Sequence, residues 1–284
     1  MLGAIIGDMV GSIFEFNECK TKNFNIYNKR MDMTDDSYLT IAVANVLIKH
    51  YPIDYSAQTL KVIQEDLAKE FVKMWEQHSG AGYGGMFFNW CIKSRELGKP
   101  AGPYNSFGNG SAMRISPVGW IADSEEHLKL LSKTVTEITH NHPEGIKGAE
   151  AVAMCIYLAL HGSSKEEIKE RMIKDYYPEI EKLNFDELRK FYYFSPTCQK
   201  SVPQAIYCFL ISNDLEDAIR NCIAIGGDCD TTGAMAGSIA EAFYSKEKLS
   251  ELEDKYMYLM IDPDVEKTIM LFHKTIGSNK FGGK

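Results

Sequence analysis

Apolar residues recur every three or four positions along most of the chain, a pattern typical of amphipathic helices. It is clearest over residues 60–74, 146–160 and 218–225. Runs that alternate β-branched or aromatic residues with polar ones between turn residues, which would indicate strands, are few. Since no linker divides the chain, we predict one compact, all-α domain of orthogonally packed helices over residues 1–284.

Glycines and one acidic residue in an apolar segment refine this prediction. Gly233 and Gly237 lie on a predicted helix over residues 233–243, where they would let a neighbouring helix approach closely. The first segment is apolar enough for a buried helix, and Asp8 within it would need a partner. Glycine-rich residues 79–85 and 98–111 are predicted to be loops, and residues 175–197 an irregular excursion.

Charge and cysteine content exclude several classes of protein. The net charge of −8 argues against a general nucleic-acid-binding surface, although a metal or backbone N–H groups could still bind a small anion. The seven cysteines include no CxxC pair, which argues against a disulfide framework or a zinc knuckle. No apolar run is long enough to span a membrane, and the start lacks the basic region of a signal peptide. We expect a cytoplasmic protein.

Two carboxylate clusters each precede a predicted helix. The first is TDDS at residues 34–37, before the helix predicted over residues 39–48, and the second is GGDCDTTG at residues 226–233. Acids and hydroxyls at helix starts can simply cap the helix. A helix needs about one such cap, however, and the surplus oxygens are ligands suited to Mg²⁺ or Mn²⁺. N-capping and a binuclear metal site both stay open at this point.

Three further segments are candidates for chemistry. NSFGNGSAMR, at residues 105–114, could bind phosphate through backbone N–H groups and stack an aromatic ring on a ligand, or it could be a plain turn. THNHPEG, at residues 139–145, offers two histidines but no complementary zinc ligands, which favours a substrate-contacting or supporting role. Glu15 lies between Phe14 and Phe16, which could raise its pKa for acid–base work, or it could be a surface glutamate.

Taken in order, five segments resemble the ADP-ribosylglycohydrolase family, and they run from Gly3 to Tyr244: GAIIGDMVGSIFEF, TDDS, GNGSAMR, THNHPEG and GGDCDTTGAMAGSIAEAFY. The resemblance implies a mostly helical fold with two Mg²⁺ or Mn²⁺ ions in a cleft. It also implies hydrolysis of an N- or O-glycosidic bond between ADP-ribose and an acceptor, such as an arginine or serine side chain. One departure is Ser37, where many members have Thr; both side chains carry a hydroxyl.

The resemblance also implies roles for individual residues. The implied metal ligands are Thr34, Asp35, Asp36, Asp228, Asp230 and Thr231. Glu15 matches the family's functional glutamate, and Asp35 and Asp36 join it as catalytic candidates. The implied substrate-binding residues are Asn105, Ser106, Phe107, Gly108, Asn109, Gly110, Met113, His140 and His142.

Two other functions use the same residues. A two-metal nucleotide phosphohydrolase would need the same carboxylates but would attack phosphorus, and a non-catalytic ADP-ribose-binding relative would have lost ligands that are all present here. We expect a monomer that acts on an ADP-ribosylated protein or small molecule and does not bind membranes. Nucleic acid is not an expected partner, but an ADP-ribosylated nucleic acid stays among the open acceptors.

Overall fold

The computed structural model describes residues 1–244 and 262–280, which form α-helices joined by loops. The helices are α1 (Leu2–Ser12), α2 (Asp35–Lys49), α3 (Ala57–Gln77), α4 (Gly85–Leu97), α5 (Gly110–Met113), α6 (Ser116–Ile121), α7 (Glu125–Thr136), α8 (Pro143–Leu160), α9 (Lys165–Asp175), α10 (Phe185–Phe191), α11 (Cys198–Leu210), α12 (Leu215–Ile225), α13 (Cys229–Phe243) and α14 (Pro263–Lys280). Within these residues the only β pairing is an isolated antiparallel bridge between Gly108 and Thr197. The all-α prediction is confirmed.

Side-chain caps mark where many of these helices begin. Ser56, Ser124 and Asp214 each accept a backbone N–H bond at the start of α3, α7 and α12, and Ser164 forms a full capping box with Glu167 at α9. The helices predicted over residues 39–48 and 233–243 begin earlier than their apolar patterns, at Asp35 and Cys229. The acidic clusters therefore lie largely within the first turns of α2 and α13.

Helix α13 runs through the core and packs against α1, α8, α11 and α12. It meets α1 at backbone contact: a Cβ added at Gly7 would lie 2.0 Å from the carbonyl oxygen of Gly233, and one at Gly237 would lie 2.2 Å from that of Gly3. The prediction that Gly233 and Gly237 admit a close neighbour is confirmed. This contact brings the C-terminal end of α1 against the acidic start of α13, because a Cβ at Gly11 would lie 2.3 Å from the Cα of Asp230.

The prediction of an irregular excursion over residues 175–197 is wrong for part of the segment. It contains a short 3-10 helix, Pro178–Lys182, and helix α10. The Asn184 side chain accepts the N–H groups of Asp186 and Glu187 at the start of α10, and no residue of that helix is buried. Its apolar residues Phe185 and Leu188 are only half-buried, and a helix of seven residues is too short for their spacing to be recognised, so the polar cap was the clearer signal.

No helix in the described part of the chain is long and apolar enough to cross a membrane. The prediction of a single domain over the full length stays a prediction.

Candidate active site

A cavity of about 470 Å³ opens where the first turns of α2 and α13 face the segment after α1 and the loop before α5. It is lined by every predicted metal-binding, catalytic or substrate-binding residue except His142: Glu15, Thr34, Asp35, Asp36, Asn105, Ser106, Phe107, Gly108, Asn109, Gly110, Met113, His140, Asp228, Asp230 and Thr231. Residues far apart in sequence therefore share one concave site, as expected of a ligand pocket.

Asp8 fixes the first acidic turn, which is the TDDS segment at the start of α2. Its buried carboxylate accepts the backbone N–H of Thr34 at 2.9 Å, the Thr34 hydroxyl at 2.7 Å and the N–H of Ser37 at 3.1 Å. It also accepts the Ser37 hydroxyl. These donors are the partners that a carboxylate inside an apolar helix requires. Asp8 thus fixes the direction in which Asp35 and Asp36 leave the start of α2.

Two glycines shape the second acidic turn, which is the GGDCDTTG segment at the start of α13. Gly226 and Gly227 both have positive φ, 75° and 77°, a backbone conformation that other residues rarely adopt. A Cβ on Gly227 would also lie 2.6 Å from the Tyr192 ring. The tight turn places Asp228 where it accepts the Asn109 side-chain amide at 2.7 Å, which links the acidic turn to the loop before α5.

The carboxylates from these segments crowd together. Oxygen atoms of Glu15, Asp228 and Asp230 all lie within 4.8 Å of one another. Thr231 donates its hydroxyl to one oxygen of Asp36 at 3.3 Å, and the other oxygen of Asp36 is buried without a hydrogen-bond partner. A buried carboxylate oxygen without a donor is costly, so the arrangement fits a hard cation bound by oxygen ligands.

The pKa values of these groups reflect the same crowding. Burial, with the charge of Asp230 next in importance, raises the pKa of Asp8 to about 7 and that of Glu15 to about 8. The same two causes raise the pKa values of Asp35, Asp36 and Asp228 well above the usual range. Without a cation these carboxyl groups therefore favour protonation, whereas a bound divalent ion would favour the ionised ligands.

The loop before α5 is held by a neighbouring segment. The N–H of Asn109 donates to the Pro196 carbonyl at 2.9 Å, and the N–H of Cys198 donates to the Phe107 carbonyl at 3.0 Å. Asn105 has a left-handed φ of 54°, and the hydroxyl of Ser106 accepts the N–H of Gly108 at 3.1 Å. The loop is thus fixed, while the Phe107 ring remains 44% exposed at the edge of the cavity.

The two histidines have different positions. His140 is buried and lines the cavity. His142 is the N-cap of α8, where its Nδ1 accepts the Glu144 N–H at 3.1 Å, and its ring meets that of Phe107 edge-on at 5.2 Å. His142 therefore packs against the Phe107 ring, and any effect of His142 on substrate binding would act through Phe107.

Sequence reasoning did not assign roles to several residues at this site. Arg114 lines the cavity and is buried, and its place at the end of the GNGSAMR segment was an available signal. Tyr104 and Phe194 line the cavity as well, and no motif marked them. Asp8 was noticed only as a buried charge in need of partners.

A helical fold with carboxylates from three chain segments around one cavity defines a candidate metal-binding hydrolase. The family model described as ADP-ribosylglycohydrolase matches residues 1–260. The chain therefore belongs to the ADP-ribosylglycohydrolase family, whose members hydrolyse glycosidic bonds to ADP-ribose.

Similar proteins agree with this assignment. ADP-ribosylhydrolase ARH3 of Gallus gallus is 26% identical, and the match covers 88% of this chain and 85% of that protein. ADP-ribosylarginine hydrolase Tri1 of Pseudomonas putida is 24% identical, covering 86% of this chain and 69% of the relative. ADP-ribosyl-dinitrogen reductase glycohydrolase of Rhodospirillum rubrum is 22% identical, covering 87% and 85%. A solved structure titled ADP-ribosylglycohydrolase-related protein complex shares the fold, with a TM-score of 0.72, 20% identity and coverage of 96% and 95%.

Proposed function

We propose that this protein uses two Mg²⁺ or Mn²⁺ ions to hydrolyse the N- or O-glycosidic bond between ADP-ribose and an acceptor, and so reverses ADP-ribosylation. The observation that carries the proposal is the convergence of the two acidic turns and Glu15 on one cavity. Thr34, Asp35 and Asp36 would hold metal from the α2 side, and Asp228, Asp230 and Thr231 from the α13 side. Bound there, the ions would supply Lewis-acid polarisation of the ribose and its attacking water.

The chain's own residues would do the rest of the work. Glu15, whose pKa is raised to about 8, would hold or accept a proton at the bond that breaks, with Asp35 and Asp36 orienting the reacting groups. The loop from Asn105 to Gly110, together with Met113 and His140, would bind the diphosphate and adenosine end. The fixed loop would then place the anomeric carbon beside Glu15.

Product analysis tests this proposal most directly. The purified protein should release free ADP-ribose and an intact acceptor from at least one of arginine-, serine- or nucleic-acid-linked ADP-ribose when Mg²⁺ or Mn²⁺ is present. Asp35→Ala and Asp230→Ala should lose this activity while retaining a helical circular-dichroism spectrum. Release of AMP or phosphate would instead identify a phosphohydrolase, and binding of ADP-ribose without turnover would identify a non-catalytic relative.

We also propose that the enzyme is a single-domain cytoplasmic monomer whose substrate is an ADP-ribosylated protein or small molecule. Seven free cysteines support a reducing compartment. Size-exclusion chromatography with light scattering and fractionation of the host cell test these two points.

A further inference from the structure

Glu18 and Lys20 lie on the segment that follows α1, and both contact the backbone of the second acidic turn. Lys20 donates from Nζ to the carbonyl of Ile225 at 2.6 Å and to that of Tyr192 at 2.8 Å. Glu18 accepts the N–H of Gly227 at 3.0 Å, and its carboxylate lies 3.5 Å from the Lys20 ammonium group. The three protons of that ammonium group therefore have three acceptors.

These contacts bind the two peptide groups on either side of Gly226. The carbonyl of Ile225 belongs to the peptide group before this glycine, and the N–H of Gly227 belongs to the one after it. Gly226 has φ 75° and ψ −157°, a conformation that essentially only glycine adopts. A Cβ there would lie 2.5 Å from Nζ of Lys20 and 2.9 Å from Oε1 of Glu18. The glycine thus both permits the turn and makes room for the charged pair.

The start of α13 is not held by a side-chain cap of its own. Asp228 is the N-cap residue, but its side chain makes no capping hydrogen bond and instead accepts the Asn109 amide. At the start of α2, by contrast, the Thr34 side chain accepts the N–H of Asp36. The direction of the Asp228 carboxylate therefore depends on the backbone of the turn before it, which Glu18 and Lys20 bind.

The segment that carries this charged pair also carries Glu15. Carboxylate oxygens of Glu15, Asp228 and Asp230 lie within 4.8 Å of one another, although Glu15 comes from a distant part of the chain. Lys20 has a left-handed φ of 50°, which lysine rarely adopts and which persists where the surrounding contacts determine it. Its bonds to the second acidic turn therefore fix the path of the segment beside that turn.

We infer that Glu18 and Lys20, here called the Glu18–Lys20 clamp, are positioning residues that hold Glu15 in register with Asp228 and Asp230. Neither residue of the clamp is among those that line the cavity, so the clamp acts through the backbone of the turn and not on substrate. The consequence for hydrolysis rests on the proposed function, whereas the hold on the turn does not.

Hydrogen exchange tests the clamp without substrate or metal. The N–H of Gly227 should exchange slowly with deuterated solvent in the wild-type protein, as measured by NMR. Lys20→Met and Glu18→Leu should each raise this exchange rate about tenfold, the scale of one hydrogen bond to a charged group. Glu18→Gln keeps an acceptor oxygen and should exchange at close to the wild-type rate. An unchanged rate in Lys20→Met and Glu18→Leu would overturn the inference.

Steady-state kinetics tests the consequence for Glu15. At saturating Mn²⁺, Lys20→Met should lower kcat for release of ADP-ribose about 10²-fold, the scale expected when a reacting group is misplaced. KM should change far less, because the substitution leaves the side chains of the loop before α5 in place. Glu18→Gln should retain most of kcat, whereas Glu18→Leu should lose it as Lys20→Met does.

Lys22→Met is the matched control. Lys22 lies on the same segment but pairs with Asp217, in the first turn of α12, far along that helix from the acidic turn. Its loss should leave kcat and the exchange of Gly227 unchanged. An equal fall in kcat for Lys22→Met, or a rise in KM alone for Lys20→Met, would contradict the inference. Absence of hydrolysis by the wild-type protein would instead contradict the proposed function, and the exchange rate of Gly227 would then decide on the clamp alone.

Discussion

Asp8 shows how a residue that need not touch substrate can control the site. Four donors from Thr34 and Ser37 converge on its carboxylate. Asp8→Asn replaces one acceptor oxygen by an NH₂ group that faces donors, so the first turn of α2 should lose its fixed geometry. We expect Mn²⁺ affinity, measured by isothermal titration calorimetry, to fall about 10- to 100-fold.

The matched control for Asp8→Asn is Asp32→Asn, an exposed acid two residues before the same turn. Asn at position 32 can still accept the Met33 N–H that Asp32 accepts at 2.9 Å, so Mn²⁺ affinity should not change. If Asp8→Asn bound Mn²⁺ as tightly as wild type, Asp8 would not position the ligands.

Glu15 is the residue through which we expect a proton to move. Glu15→Gln keeps the shape of the side chain but cannot exchange a proton, so kcat for release of ADP-ribose should fall about 10²- to 10⁴-fold. Steady-state kinetics at saturating Mg²⁺ checks this. Glu96→Gln, at an exposed position on α4, should leave kcat unchanged. A fall in kcat that extra Mg²⁺ reverses would assign Glu15 to metal binding alone.

At the scale of residues, the sequence indicated side chains that line one cavity, but not the contacts that hold them there. Asp and Thr oxygens beside helix starts suggested metal ligands, because a cap needs fewer of them. The bonds from Thr34 and Ser37 to Asp8 depend on which side chains meet in the fold. Spacing along the chain carries no information on such long-range contacts.

At the scale of elements, the crossing of α1 and α13 decides the geometry of the site. Gly7→Ala would place a methyl carbon 2.0 Å from the Gly233 carbonyl oxygen, so the helices would have to separate. We expect a loss of about 1–3 kcal/mol in the free energy of unfolding, measured by urea denaturation, together with weaker Mn²⁺ binding. Gly80→Ala is the control, because a Cβ there meets nothing within 4 Å. Unchanged stability of Gly7→Ala would mean that the two helices do not touch through their backbones.

Long helices with a repeating apolar pattern were predictable, and the short helix α10 was not. The period of apolar positions predicted α3, α8 and α12, because each has apolar residues at that spacing that are buried in the core. Helix α10 has seven residues, none of them fully buried, and is too short for such a period to be recognised. The glycines of α13 predicted a close neighbour, but only the structure shows that the neighbour is α1.

At the scale of the whole molecule, the fold concentrates acids where a cation is needed to balance them. Raised carboxyl pKa values mean that the metal-free native state binds more protons than the unfolded chain. Its stability should therefore fall as pH rises through the range between the unfolded and native pKa values. For Asp8 this range runs from 3.8 to about 7, and for Glu15 from 4.5 to about 8.

Metal ions should reverse that loss, because they bind the ionised ligands and compete with protons. We expect Mn²⁺ to raise Tm more at pH 8 than at pH 6.5, measured by differential scanning calorimetry of the metal-free and metal-loaded protein. His140, whose depressed pKa destabilises the native state as pH falls through 6.5, contributes to the metal-free and the metal-loaded protein alike, so it does not affect the Mn²⁺-induced difference in Tm. Asp230→Ala removes the charge that raises the pKa values of Asp8, Glu15, Asp35, Asp36 and Asp228, so its metal-free Tm should depend less on pH. If the Mn²⁺-induced rise in Tm were the same at both pH values, the crowded carboxylates would not be the metal ligands.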